Sequence, residues 1–504
     1  MVFTAGAFFI FIAIFMGLLV FIEGSQLRYF VLCASYIFYG GANPDWLVII
    51  LVITVVDFYL ANILSSLDHP GIRVLGLIIS CATNLGILIW FKYSDFIMAN
   101  IEGVFGLFGY TPNVVGDPVT MPIGISFFVF ESLSYIVDIY RRKIRPCKRL
   151  SDYALFIAFF PHLVSGPIVR AADFLPQISH MKPFRREATI SGMELIIIGF
   201  FKKAVVADNI GSFVDAVYAT GSHPGGAVAW LASIGFAIQI YADFSGYTDI
   251  ARGLSRIIGI ELCHNFRWPY FSASPQDFWR RWHMSLSLWM RDYIYIILGG
   301  NRRGKLRMYI ALFVTWFLGG LWHGAAWHFV AWGLYHGFLV WGSNVISQFW
   351  EWWSSRTTSR ESPDKKSMLR VGCRIGLVAL TFAAVVFGWV LFRASDLDFA
   401  FDMWRSMLGI GSQPFLADFG STMLTNGVRG WNHDETNVSH LALLGLYVIL
   451  GVAHAVTYKL YKGNVDGTIL HTCPYFVRVS ILGFIALATV LFQGDSRAFI
   501  YFSF

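Results

Sequence analysis

His323 stands where an ionisable ring is expensive. From Arg307 to Ile346 the chain reads RMYIALFVTWFLGGLWHGAAWHFVAWGLYHGFLVWGSNVI, with no further charged residue. Burying an imidazole in such a run is costly unless it is paired, so a functional role is the default expectation. Gly319, Gly320 and Gly324 flank it in GGLWHG, which permits close backbone approach, and Trp322 supplies an aromatic wall. A second candidate, His283, lies in RRWHMSLS. A neutral imidazole can take a proton from an attacking hydroxyl or accept an acyl group itself. The two histidines point to group-transfer chemistry inside a membrane. The competing reading is that each only hydrogen-bonds a neighbouring element.

The other candidates carry weaker signals. His328 and His336 follow His323, but a step from 323 to 328 is about 140° around a helix, so no metal-ligand face forms. Arg280, Arg281 and Arg291 bracket His283. They either receive a phosphate-bearing donor or snorkel to lipid headgroups. Asp243, Asp249 and Arg252 in YADFSGYTDIAR read as an internal polar network with a structural role. His162 in FFPHLVSGPIVR sits beside Pro161, Gly166 and Pro167, which break any helix. It lines a cavity or satisfies the freed backbone groups. The six cysteines are scattered with no CxxC pair and read as small apolar fillers. No P-loop, GxGxxG, HExxH or GxSxG motif occurs, which leaves nucleotide-driven transport and soluble-hydrolase chemistry without support.

The elements that must hold these residues are transmembrane helices. Of 504 residues, 56% are hydrophobic and only 14% charged, against roughly 25% charged in soluble domains. The apolar excess runs along the whole chain, so the fold class is an all-α polytopic membrane protein. Spans of about 20 apolar residues are expected near Phe3–Ile22, Tyr29–Tyr39, Trp46–Leu64, Val74–Trp90, Met121–Tyr140 and Glu194–Tyr218. Others are expected at Val228–Tyr241, Trp289–Leu298, Tyr309–Trp322, Phe329–Ile346, Ile375–Phe392, Leu441–Leu460 and Val477–Leu491. The short ones imply tilted or re-entrant pieces. Met1–Ile22 lacks a basic n-region and a cleavage site, so it reads as a retained helix. The stretch 151–307 mixes Pro, Gly and polar residues with aromatics and implies broken helices around a funnel. Ser354–Ser367 reads as a flexible loop. One integral-membrane domain is expected over 1–504, with N-terminal helices at 1–140, a semi-polar core at 141–350 and C-terminal helices at 370–504.

Charge placement orients the spans. Basic loops at Arg141–Arg149, Asn301–Arg307 and Arg356–Arg374 should face the cytoplasm. Tyr93–Thr120 carries no Lys or Arg, and Ala394–His440 only Arg405 and Arg429, so both should face outward, with both termini. The net charge of +7 reports this topology and not nucleic-acid binding.

WRRWHMSLSLWMRDYIYIILGGNRRG followed by LGGLWHGAAWHFVAWGLYHG resembles the membrane-bound O-acyltransferase family, in its bacterial polysaccharide O-acetylation branch. MPIGISFFVFESLSYIVDIYR, FFPHLVSGPI, YADFSGYTDIARG and the ending FIYFSF agree with that branch in order. The resemblance implies a ring of helices with broken core helices around a funnel. It implies His323 as the active-site histidine and His283 as the second family histidine, where many eukaryotic members carry Asn. It further implies acetyl-CoA as a cytoplasmic donor, with no bound cofactor and no metal. The acyl group would pass across the inner membrane to a periplasmic SGNH-hydrolase-like subunit that esterifies an exported polysaccharide, alginate or, alternatively, cellulose, peptidoglycan or another exopolysaccharide. Arg280, Arg281, Arg302, Arg303 and Lys305 would attract the CoA phosphates, although the same charges serve the topology. The rival classes are a sugar transporter with a histidine proton relay and a membrane cytochrome with axial histidines.

Overall fold

The computed structural model describes residues 3–4, 6–110, 120–164, 166–219, 224–354, 363–410, 474–494 and 497–500. Among them every regular element is a helix. Five helical stretches are long and apolar enough to cross a membrane: Trp46–Ser66, Pro70–Gly106, Gly226–Ile258, Gly372–Arg393 and Tyr475–Phe492. The chain is a multi-pass membrane protein. It divides into two compact units: Met1–Gly199 with Tyr247–Cys263 and Ala498–Phe504, and Phe200–Gly246 with His264–Arg497. The expected span Leu441–Leu460, the ending 501–504 and residues 355–362 of the expected loop lie outside the described residues.

The first unit holds α1 (Gly6–Leu19), α2 (Ser25–Gly40), α3 (Trp46–Ser66), α4 (Pro70–Leu88), α5 (Ser94–Gly106), α6 (Ile125–Tyr140), α7 (Leu150–Ala158), α8 (Phe160–Leu163), α9 (Ala171–Ile178) and nearly all of α10 (Arg186–Phe200). Proline starts α4, where its missing N–H costs nothing. A π-helical turn at Ile89–Tyr93 carries α4 into α5. The stretch expected as an outer loop from Tyr93 is therefore helical to Gly106.

Polarity in α3 is inverted relative to a soluble helix. Val48, Val52, Val55 and Tyr59 are exposed, while Asp57 is fully buried. Such a carboxyl must be satisfied by protein. Asn84 Nδ2 donates to it at 2.7 Å, and the Ser80 and Ser132 hydroxyls donate as well. These bonds tie α3 to α4 and α6. His162 and Glu131 form a second buried pair, Nδ1 to Oε1 at 3.0 Å. Glu131 also accepts from the Val169 N–H at 2.9 Å. His162 Nε2 meets the Phe156 carbonyl at 3.1 Å. Both ring nitrogens are thus spent on holding the break between α6 and α9.

The second unit holds a π-helical segment (Phe201–Ala207), α11 (Asp208–Ala219), α12 (Gly226–Ile258) up to Gly246, α13 (Pro275–Trp279), α14 (Met284–Met290), α15 (Lys305–His323), α16 (Trp327–Ser354), α17 (Pro363–Arg393), α18 (Leu397–Met407) and α19 (Tyr475–Phe492). The sequence reading broke the polar stretch YADFSGYTDIAR. It lies instead inside the 33-residue α12. Its side chains are buried nearly all round, so its polar groups meet protein and not lipid. Asp243 meets Lys203 at 3.0 Å, and Arg252 meets Glu261 at 3.4 Å. Lys203 also reaches Asp208 at 2.8 Å, giving a buried triad that sequence reasoning missed. Residues 363–367 of the expected loop already belong to α17.

α15 and α16 pack backbone to backbone. A Cβ on Gly333 would lie 2.2 Å from the Trp316 carbonyl oxygen, and one on Gly320 would lie 2.3 Å from that of Phe329. Small residues are what allow such an approach in lipid, where apolar burial does not drive helices together. α17 then joins α16: Tyr335 Oη donates to Ala384 O at 2.8 Å, and His328 Nδ1 meets Leu391 O at 3.0 Å.

Gly333→Ala is expected to destabilise the protein by about 1–3 kcal/mol through overpacking, read as a lower unfolding temperature in detergent. Gly319→Ala, with open space around it, should not. Lys203→Met strips a cation from two buried carboxylates and should cost about 3–5 kcal/mol in the same assay.

Candidate active site

His323 closes α15, and Gly324 at φ −165° ends the helix. His328 therefore belongs to the next helix, and the helical angle expected between the two does not apply. The His323 ring is buried. It meets Trp322 edge-on at 4.8 Å, Trp332 at 4.7 Å and Phe392 at 5.1 Å between centroids. These come from the ends of three helices: α15, α16 and α17.

His283 sits in the tight turn between α13 and α14, also fully buried. Phe244 lies edge-on to it at 4.6 Å, and Trp322 lies 5.9 Å away. Trp322 therefore contacts both imidazoles. The sequence reading paired them, and the fold brings them together.

The backbone at His283 is strained, with φ +40° and ψ +57°. A non-glycine residue in the left-handed region costs roughly 1–2 kcal/mol and persists only where its surroundings hold it. Here the segment 265–267 does so. Met284 N–H donates to Asn265 O at 2.9 Å, and Arg267 N–H to Arg281 O at 2.9 Å. Ser285 Oγ donates to Asn265 Oδ1 at 2.6 Å. Trp268, beside this brace, is also left-handed at φ +47°.

The basic candidates fall into two groups. Arg280 and Arg281 precede His283 directly; Arg280 is exposed, and Arg281 pairs with Asp277 at 2.8 Å. Arg302, Arg303 and Lys305 are exposed in the turn that starts α15. His323 is at the other end of that 19-residue helix, roughly 28 Å away along the axis. That is close to a full hydrocarbon thickness, so His323 lies at a helix end and not halfway along. The chain does not bring these three cations to the histidines.

His336, a weak candidate in the sequence, is wholly buried in an indole cage. Trp279, Trp332 and Trp316 lie 5.0, 4.9 and 5.9 Å from it. Trp279 Nε1–H donates to its Nδ1 at 3.3 Å, so the neutral ring carries its proton on Nε2. That Nε2, Trp332 Nε1 and Trp389 Nε1 are buried with no hydrogen-bond partner among the described residues. Each such donor costs about 1–3 kcal/mol. No group of three or more His, Cys, Asp or Glu able to hold a metal occurs among the described residues.

Fold and site together define a polytopic membrane protein with a buried histidine pair at the meeting of its core helices. The sequence profile of the membrane-bound O-acyltransferase family matches residues 148–360, which contains both histidines. The probable alginate O-acetylase of Pseudomonas putida is 36% identical over 82% of this chain and 81% of its own. That of Pseudomonas aeruginosa is 36% identical over 82% of this chain and 76% of its own. The peptidoglycan O-acetyltransferase of Helicobacter pylori is 31% identical over 75% of this chain and 73% of its own. The chain belongs to the membrane-bound O-acyltransferase family, and it is an O-acyltransferase.

Removing the imidazole two ways tests the strained turn. His283→Gly should unfold at a higher temperature than His283→Ala, by about 1 kcal/mol, because glycine relieves the left-handed backbone. The reverse order would show that the folded protein does not hold this conformation.

Proposed function

We propose that the chain takes an acetyl group from acetyl-CoA on the cytoplasmic side of a bacterial inner membrane. It passes the group to a periplasmic SGNH-hydrolase-like subunit, which O-acetylates an exported polysaccharide, with alginate as the polymer. The observation that carries this reading is the position of His323 and His283 on one indole inside an acyltransferase fold. The names of the alginate relatives support the polymer, and the match to the peptidoglycan enzyme keeps acetyl as the group.

His323 acts at the acyl carbon. As general base it takes the proton of the acceptor hydroxyl, while that oxygen bonds the carbonyl carbon. The carbon–sulfur bond then breaks, and the proton goes to the departing thiolate. As a nucleophile it would carry the acetyl group on nitrogen between two such steps. His283, also against Trp322, orients the thioester or holds a proton. Arg280 and Arg281 attract the phosphates of the donor as it approaches, and the exposed cluster of Arg302, Arg303 and Lys305 serves the same end at long range. In this reading the basic loops face the cytoplasm and both termini the periplasm.

A strain whose own copy is deleted and replaced by His323→Ala should export polymer without O-acetyl esters by NMR, with unchanged amounts of the protein in its membranes. Polymer acetylated to the normal level would overturn the assignment.

A further inference from the structure

Three rings packed together on α16 and α17, one of them against His323, share an unmet requirement. Trp332, Trp389 and His336 form a triangle, with Trp332–His336 at 4.9 Å, Trp332–Trp389 at 6.0 Å and Trp389–His336 at 6.4 Å. Each is essentially inaccessible to solvent. Each carries a nitrogen donor for which the described residues offer no acceptor. Buried donors are satisfied as a rule, and a group of exceptions calls for an occupant. His336 Nε2 faces Gly388, where an added Cβ would fall 2.7 Å away, so only glycine leaves that nitrogen free of a clash. Trp332 also lies edge-on to His323 at 4.7 Å, so the triangle adjoins the candidate base. What three neutral N–H groups in a dry aromatic shell would bind is an oxygen that carries partial or full negative charge.

We propose that Trp332, Trp389 and His336 are the donor set for the carbonyl oxygen of the acyl group that His323 acts on. As the nucleophile adds, the carbonyl π pair moves onto oxygen, and the N–H groups hydrogen-bond the developing oxyanion without giving up their protons. The pair returns to carbon as the leaving group departs with the electrons of its own bond. Fixed donors in a buried aromatic site stabilise such a charge at no reorganisation cost. Trp279 contributes indirectly: by donating to Nδ1 it keeps the His336 proton on Nε2. The proposal rests on the reading of His323 as the site of acyl transfer, but not on the identity of donor or polymer.

The test uses the purified full-length protein in detergent with two probes, p-nitrophenyl acetate and its thiono analogue, whose C=S sulfur is a poor acceptor. Trp332→Phe, Trp389→Phe and His336→Phe keep a ring and remove the N–H. Each should lower kcat on the oxygen ester by about 10²-fold with KM little changed, and leave the sulfur ester nearly unchanged. Equal losses on both esters, as plain loss of packing would give, or no loss on either, would overturn the donor set. His323→Ala should abolish turnover of both esters; full activity there sinks the reading of the site itself, whatever the tryptophan variants do.

Discussion

The close contact of Gly320 and Gly333 with the opposing backbone is the constraint on which the site depends. It sets α15 against α16 at van der Waals distance, so the end of one helix and the start of the next share a single volume. His323, Trp332 and Phe392 meet there because that distance is fixed. Bulkier residues would pack well against lipid elsewhere on these helices, as Leu306, Ile310 and Phe338 do on their exposed faces. At this crossing they would move the imidazole away from its aromatic walls.

Several buried polar clusters follow one accounting rule. Away from water, their groups find partners inside the protein, and they do so in different ways. Asp57 is met by neutral donors, Lys203 by two carboxylates, His162 by a carboxylate and a carbonyl. These are self-contained and hold helices together. The tryptophan–histidine triangle on α16 and α17 departs from the pattern, with Trp332 edge-on to His323. A satisfied network rigidifies; an unsatisfied one in the same medium stores an affinity.

Much of the frame is legible in the sequence. Trp46–Ser66 and Tyr475–Phe492 are found within two residues of where hydropathy sets them, because lipid-facing helices advertise themselves by composition. α12 was not legible beyond its apolar start, because a helix buried in protein carries the polar residues that hydropathy takes as a break. The helical run through Lys92 to Gly106 was hidden for a related reason: absence of basic residues marks sidedness and says nothing of conformation. His323 and His283 stood out as ionisable rings in apolar company, and the family resemblance joined them. Trp322 as the ring against both, the brace from Asn265, and the cage around His336 did not. In a chain with 18 tryptophans, no local pattern separates an indole that lines a site from one that faces lipid; that choice is made by contacts between residues dozens of positions apart.

The left-handed backbone at His283 limits what can replace it over time. Few side chains enter that region cheaply: glycine, and asparagine and aspartate, with histidine also enriched there. The resemblance places asparagine at this position in many eukaryotic members. The chemistry of the two residues overlaps only in part, since asparagine cannot take up a proton. Their tolerance of positive φ overlaps well. The turn between α13 and α14 therefore acts as a filter on substitution, one that histidine and asparagine both pass.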